Sequence, residues 1–197
     1  MTHRISLIPG DGIGPEVTEA VLRVIRIAGV SVEWEPQDAG LLALERHGTP
    51  LPVELLDSVR RNKVALKGPV TTPIGEGFTS VNVGLRKALD LFANLRPATL
   101  FPGLEDLSSL RPEIARQIDL LIIRELNGDV YFGEKGMRQT ADGRREGYDI
   151  MSYNEDEVRR IAHVGFRAAM GRKKMLCSVD KANVLETSQL WRDVVIE

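Results

Sequence analysis

The chain has 197 residues, with 26 Lys and Arg against 28 Asp and Glu, 43% hydrophobic and 27% charged residues, and a net charge of −2. Those proportions belong to a globular protein and leave no polybasic surface for nucleic acid or an anionic membrane. A single cysteine, Cys177, excludes an internal disulfide and suits a reducing cytoplasm; the longest apolar run, Leu120 to Ile123, is far too short to span a bilayer, and the first residues do not read as a signal peptide.

Ile5 to Ile8 is a short apolar run closed by Pro9-Gly10, which predicts a buried strand. Gly10 to Gly14 turns the chain, and Pro15 suits the first position of a helix running to about Ala28, with Val17, Ala20, Val21, Val24 and Ile25 on its inward face. Val30 to Glu35 reads as a strand, Leu41–His47 and Pro52–Arg61 as helices, and Val64 to Leu66 as a short buried strand. A loop rich in Thr, Pro and Gly follows over 68–77. Val81 to Asp90 reads as a helix, and Leu91 to Leu95 as extended chain. Beyond Pro97, Asp119 to Ile123 predicts another buried strand. Val130–Gly133 and Tyr148–Tyr153 flank a polar tip at Asp142-Gly143, the pattern of a β-hairpin arm over about 130–153. A hairpin of that size is marginal alone, which predicts packing on a partner subunit. Asn154, with Glu157 in the capping-box position, opens a long helix to about Met170 with Val158, Ile161, Ala162, Phe166 and Ala169 inward. Lys174 to Val179 then reads as a strand and Lys181 to Val195 as a helix. Strands alternating with helices predict an α/β fold with a parallel-rich mixed sheet. A domain boundary is expected between residues 98 and 99, giving 1–98 and 99–197.

The glycines at 10, 12 and 14 do not have the G-x-G-x-x-G spacing of a dinucleotide turn, and no acidic residue ends a strand about twenty residues later. Lys67, Thr71 and Thr72 follow a buried strand directly, and ligands in open α/β sheets sit at the carboxyl ends of strands. A plain turn explains the same residues. Ser80, Asn82 and Arg86 share what reads as one helix, and Arg96 follows on the next strand. Two guanidinium forks beside neutral donors suit a small polycarboxylate, while a solvated helix face is the competing reading. Arg124 also ends a strand, seven residues before Tyr131, and a neighbouring guanidinium favours a phenolate; a half-buried sheet tyrosine is the alternative. Lys181 is placed at a strand-to-helix junction, where a lysine opposes the helix dipole. His3, His47 and His163 are scattered without ligand spacing.

Taken together, Leu7–Glu16, Lys67-Gly68-Pro69-x-Thr71-Thr72-Pro73, Ser80-x-Asn82-x-x-x-Arg86, Ala93–Pro97, Arg124-Glu125 with Tyr131, and Asp180–Leu185 resemble the isocitrate/3-isopropylmalate dehydrogenase family in the right order along the whole chain. The resemblance implies metal-dependent oxidative decarboxylation of a 2-hydroxy di- or tricarboxylic acid with NAD or NADP. It implies Arg86, Arg96 and Arg124 as carboxylate clamps with Ser80 and Asn82, and Tyr131 as proton donor. Lys181, donated by the partner of a homodimer, would act on the substrate hydroxyl. Lys67, Thr71, Thr72 and the partner's Asn183 would lie on the cofactor side. Ser80 with Asn82 matches the isocitrate branch, whereas Arg124–Gly133 and the arm look like the isopropylmalate branch; the helix is weighted more, so isocitrate is the expected substrate and 3-isopropylmalate the alternative. Family members continue well beyond Glu197, so the first domain is expected to be incomplete and the Mg2+ or Mn2+ ligands to lie in the missing C-terminal half. A non-catalytic, truncated or regulatory subunit is the remaining alternative.

Overall fold

A computed structural model describes residues 2–71 and 80–197. The chain folds as two compact units, Met1–Asp90 and Leu91–Glu197.

The first unit is built on a parallel sheet of order β2-β1-β3, comprising β1 (His3–Ile8), β2 (Val32–Pro36) and β3 (Ala65–Lys67). β1 is central, pairing His3 with Val32 through Leu7 with Pro36 on one side and Ser6–Ile8 with Ala65–Lys67 on the other. Its last three residues are therefore buried. The crossovers are α1 (Gly14–Ile27), then α2 (Leu41–His47) and α3 (Val53–Asn62), and α4 (Val81–Ala88) closes the unit. Ile8, Ala39, Leu55, Val81 and Leu85 form the apolar core. Beside it lies a polar network. Ser6 and Ser58, both buried, share a hydrogen bond of 2.7 Å, and the Asn62 amide donates to Ser6 Oγ at 3.0 Å and to Glu35 Oε2 at 2.9 Å. Each hydroxyl is thereby satisfied, which buried polar groups require.

The inward face of α1 differs from expectation. Gly14 and Thr18 are its buried residues, and Val17, Val21 and Val24 are exposed. The helix is anchored by its first turns, where Thr18 Oγ1 donates to the Pro9 carbonyl at 3.2 Å. Within this unit nothing covers the valine stripe farther along, among the described residues.

In the second unit, β4 (Ala93–Thr99) runs antiparallel to β5 (Asp119–Glu125) over their whole length, so the division between compact units falls at Asp90/Leu91, ahead of the expected 98/99. A 3₁₀ turn (Glu105–Leu107) and α5 (Pro112–Ala115) connect them. The arm is a hairpin of β6 (Lys135–Gln139) and β7 (Arg145–Asp149) around the Asp142-Gly143 tip. Its strands are shorter than the sequence suggested: Val130–Gly133 is a turn, closed by the Phe132 and Gly133 amides donating to the Asp129 carbonyl. α6 (Glu155–Met170) carries the expected capping box, with Glu157 N donating to Asn154 Oδ1 and Asn154 N to Glu157 Oε2. Val158, Ile161 and Gly165 are its buried residues, and Phe166 is exposed rather than inward. Lys174–Val179 is not a strand: no ladder includes it among the described residues, and Lys174 N donates back to the Ala169 carbonyl of α6 instead. α7 starts at Glu186 and ends at Ile196 rather than spanning 181–195. Lys181 lies before it, in a turn held by Ala182 N donating to Asp180 Oδ1 at 3.0 Å. The two sheets of this unit are antiparallel pairs, so parallel pairing is confined to the first unit among the described residues.

No helix among the described residues is long and apolar enough to cross a membrane.

Candidate functional site

The carboxyl ends of β1 and β3 lie side by side, and the segments leaving them touch. A Cβ on Gly10 would run into the Pro69 carbonyl, and one on Gly14 would meet the Pro9 and Pro69 carbonyls at 2.5 and 2.6 Å. Gly10 also has φ +81°, which disfavours any side chain. These glycines serve chain-to-chain contact between two loops, which explains their departure from the dinucleotide spacing.

Asp11 locks that contact. Its Oδ1 accepts from Thr71 N at 2.6 Å and its Oδ2 from Leu41 N at 3.0 Å, so one carboxylate ties the β1–α1 turn to the loop after β3 and to the start of α2. Burial on its own would raise the Asp11 carboxyl, but the Thr71 and Leu41 amides outweigh it and hold the group below the usual carboxylate range. Sequence reasoning passed over Asp11 as part of a turn. The available signal was an acidic residue between glycines, directly after a buried strand.

Lys67 ends β3, half-buried, and donates to the Gly68 carbonyl at 2.8 Å. Burial pushes its ammonium below the ordinary lysine range; the Arg86 charge adds to that, and the Asp11 carboxylate opposes it. Lys67 and Arg86 therefore share one electrostatic environment. Asn82 and Arg86 stand four residues apart on α4, on neighbouring turns of one side, while Val81 and Leu85 fill the core. Ser80 is the residue immediately before that helix. Thr71 is placed by Asp11, and Thr72 lies outside the described residues.

The second unit gathers another set. Asn94 pairs with Arg124 and Arg96 with Ile122, so Arg96 and Arg124 are diagonal neighbours on one face of the β4–β5 pair. The Arg124 guanidinium lies 5.6 Å from the Tyr131 ring centroid, over the ring. The loop carrying Tyr131 is fixed by buried Glu125, whose Oε2 accepts from Asn127 N at 2.8 Å and Gly128 N at 2.7 Å. Its Oε1 pairs with Arg160 at 3.3 Å, and Arg160 in turn sits 4.5 Å over the Phe92 ring. Glu125 was present in the sequence motif, but nothing in the sequence marked it as the loop's anchor. Tyr153, half-buried near Asp129 and Glu125, is pushed up to about 12, by burial first and by those carboxylates second. Lys181 and Asn183 are exposed in the turn before α7.

Thus Arg96, Arg124 and Tyr131 come together in the second unit, and Lys67, Thr71, Asn82 and Arg86 cluster in the first. Among the described residues no three His, Cys, Asp or Glu side chains gather.

The chain belongs to the isocitrate/isopropylmalate dehydrogenase family, whose model matches residues 4–197. The 3-isopropylmalate dehydrogenase of Novosphingobium aromaticivorans is 60% identical, with 98% of this chain and 57% of that protein aligned. The enzyme of the same name from Bordetella pertussis is 51% identical over 100% of this chain and 58% of its own length. Among solved structures, isocitrate dehydrogenase from Methylococcus capsulatus superposes with a TM-score of 0.85 at 38% identity, covering 98% of this chain and 56% of its own. The chain thus spans somewhat over half the length of the curated relatives it matches.

The relatives overturn the isocitrate assignment. Those at 46–60% identity are named 3-isopropylmalate dehydrogenase, from Novosphingobium to Zymomonas mobilis and Methylococcus capsulatus. The expectation rested on Ser80 and Asn82, two positions on one helix. Their pattern outweighed the arm and the Arg124–Gly133 segment, and the likeness of the whole chain goes with the latter.

Proposed function

We propose that a family-length protein containing this chain oxidises and decarboxylates 3-isopropylmalate with NAD. Arg96 and Arg124 on one sheet face, with Tyr131 stacked on Arg124, is the observation that carries the reading. Two guanidinium forks a diagonal apart suit two carboxylates of one small molecule. In the first unit, Lys67 and Arg86 make a separate cationic cluster, with Ser80 and Asn82 as neutral donors at the start of the same helix as Arg86.

The chemistry asks for three things of such residues. The substrate hydroxyl loses its proton as a hydride leaves the same carbon, and Lys181 of a second subunit would take that proton. The β-carboxylate then departs as CO2, its bonding electrons pass to an enolate, and the Tyr131 hydroxyl would return a proton to carbon. The arginines hold the anion in place throughout. Bound nicotinamide would supply the hydride acceptor, with Lys67, Thr71, Thr72 and the second subunit's Asn183 on its side. Divalent-metal ligands would come from outside the described residues. A homodimer with shared sites accounts for the arm and for Lys181. The exposed free thiol of Cys177 suits a reducing cytoplasm.

The test is ligand-dependent thermal stability of the purified chain. 3-Isopropylmalate should raise the Tm more than isocitrate at equal concentration, because a ligand that binds only the native state stabilises it by mass action. Arg124→Ala should remove the shift, and Asn82→Leu should keep it. A larger shift with isocitrate, or a wild-type shift in Arg124→Ala, refutes the reading.

A further inference from the structure

Tyr131 and Lys181 stand on separate segments of the second unit, the loop after β5 and the turn before α7. Neither segment belongs to a helix or a sheet, so side chains have to hold each in place. Two aromatic residues that the proposed reaction does not use, Tyr153 and Trp191, lie between them.

At the loop end, the Tyr153 ring is seated against Gly128: a Cβ there would meet Tyr153 Cδ1 and Cε1, both at 2.5 Å. A shift of the Gly128 main chain therefore moves the ring directly, since no gap separates them. Asp129 N donates to the Ser152 carbonyl at 3.0 Å, so the main chain beside Tyr153 grips the same loop. Farther on, the Tyr153 ring meets the Trp191 ring edge to face, with centroids 5.5 Å apart and planes at 72°. That is a favoured geometry for an aromatic pair. It does not titrate in the neutral range, because burial and then the Asp129 and Glu125 carboxylates push the Tyr153 phenol up to about 12. Trp191 belongs to α7, and its Nε1 donates to Ser178 Oγ at 3.2 Å. The next residue, Arg192, lies 4.0 Å from Asp180 Oδ2, and Asp180 Oδ1 accepts from Ala182 N at 3.0 Å. The Lys181 carbonyl accepts from Val184 N and Leu185 N. The turn carrying Lys181 is thus closed on itself and pinned to α7 beside Trp191. Contacts run without a break from Gly128 to Tyr153, to Trp191 and to Ser178.

We propose that Tyr153 and Trp191 are positioning residues, a strut that sets the Lys181 turn against the Tyr131 loop. The inference rests on the roles proposed above for Tyr131 and Lys181 in a homodimer with shared sites. Tyr131 serves its own subunit's site and Lys181 the other subunit's. The strut therefore joins the proton donor of one site to the proton acceptor of the second, and a displacement at either end is felt at both.

Hydrogen exchange on the purified chain tests the strut with no ligand present. Each rate is read relative to the amides of residues 158–165 in α6, which report any general loosening of the unit. Gly128→Ala drives a methyl into the Tyr153 ring, and should speed exchange at the Ala182, Val184 and Leu185 amides by at least about fivefold. Trp191→Leu should speed the Asn127 and Gly128 amides by as much, although they are bonded to Glu125 and not to α7. Tyr153→Leu should do both, and Tyr153→Phe, which keeps the ring, neither. In Tyr153→Leu the methyl of Gly128→Ala has no ring to push, so the double variant should gain nothing further at the turn. A full further gain there overturns the proposal. So do turn amides that merely follow α6 in every variant, or Tyr153→Phe behaving as Tyr153→Leu does. The measurement involves no substrate, so its failure is separate from failure of the catalytic reading, which the thermal shift decides.

Discussion

β1 and β5 are written in much the same way, as short apolar runs, yet they meet different fates. Ile8 in β1 is 1% exposed and Ile122 in β5 is 55% exposed. β1 has a strand on each side and helices against it; β5 has one strand neighbour and a cleft on its other edge. Burial is therefore a property of neighbours rather than of hydrophobicity. The first unit has closed its core over β1, and the second leaves β5 with surface to cover.

The sharpest way to break that contrast is to cut matched side chains from each unit. Leu55→Ala, in the closed core, should cost up to about 5 kcal/mol. Ile122→Ala should cost less than about 1 kcal/mol, as surface truncations do. Each unit has one tryptophan, Trp34 and Trp191, so denaturant unfolding followed by fluorescence of single-Trp chains reads the units separately. Equal losses would mean that β5 is as well packed as β1. Within the second unit, Glu125→Ala should be the next largest loss, about 3 kcal/mol, because it strips the acceptor from two loop amides and breaks a buried ion pair. The same probe at Trp191 measures it, and Glu125→Gln should recover part of the loss by restoring one acceptor oxygen.

These two regions were unequally legible in the sequence. The bounds of α2, the capping box on α6 and the three strands of the parallel sheet follow from local patterns: apolar periodicity, a cap residue, a Pro-Gly stop. The family motifs pointed to Arg96, Arg124 and Tyr131; the register of β4 on β5 sets the two arginines on one face, and the turn after β5 brings the Tyr131 ring under Arg124. Lys174–Val179 misled because its composition is that of a strand while no strand pairs with it among the described residues. The valines of α1 misled similarly: their spacing marks an apolar face, and periodicity says nothing of whether a neighbour covers it. Asp11 and Glu125 were hidden for a different reason. Each acts on main-chain amides far from it in sequence or folded back onto it, and main-chain partners leave no trace in residue identity.

Asp11 offers a smaller test in the first unit. Its carboxyl is held below its unfolded value, so the stability it contributes is fully present above the unfolded pKa, near 4, and is lost as the pH falls through the lower native value. Asp11→Asn, which keeps one acceptor oxygen, should lower stability at pH 7 by about 1.5 kcal/mol. The gap in Tm between wild type and Asp11→Asn should hold from pH 7 to about 5 and narrow below 4. Exchange at the Thr71 and Leu41 amides should quicken in the variant. A gap that is constant down to pH 2 would show that ionisation of Asp11 contributes nothing.

The smallest expected effect lies at the start of α6, and it bears on the same contrast. α1 has no capping side chain and carries Pro15 in its first turn, whereas α6 begins with a reciprocal pair between Asn154 and Glu157. α1 packs its first turns directly against the Pro9 loop, so tertiary contact fixes its end. α6 forms one wall of a cleft, and its first turn depends more on local bonds. Asn154→Ala should cost about 1 kcal/mol, and Asn154→Ser or Asn154→Asp should recover most of it, since both side chains can accept from the third helical amide. Thermal unfolding read at Trp191 is the measurement. A loss much above that in Asn154→Ala would mean that the entry to α6 is held by packing as α1 is, and that the second unit is more closed than its exposed β5 edge implies.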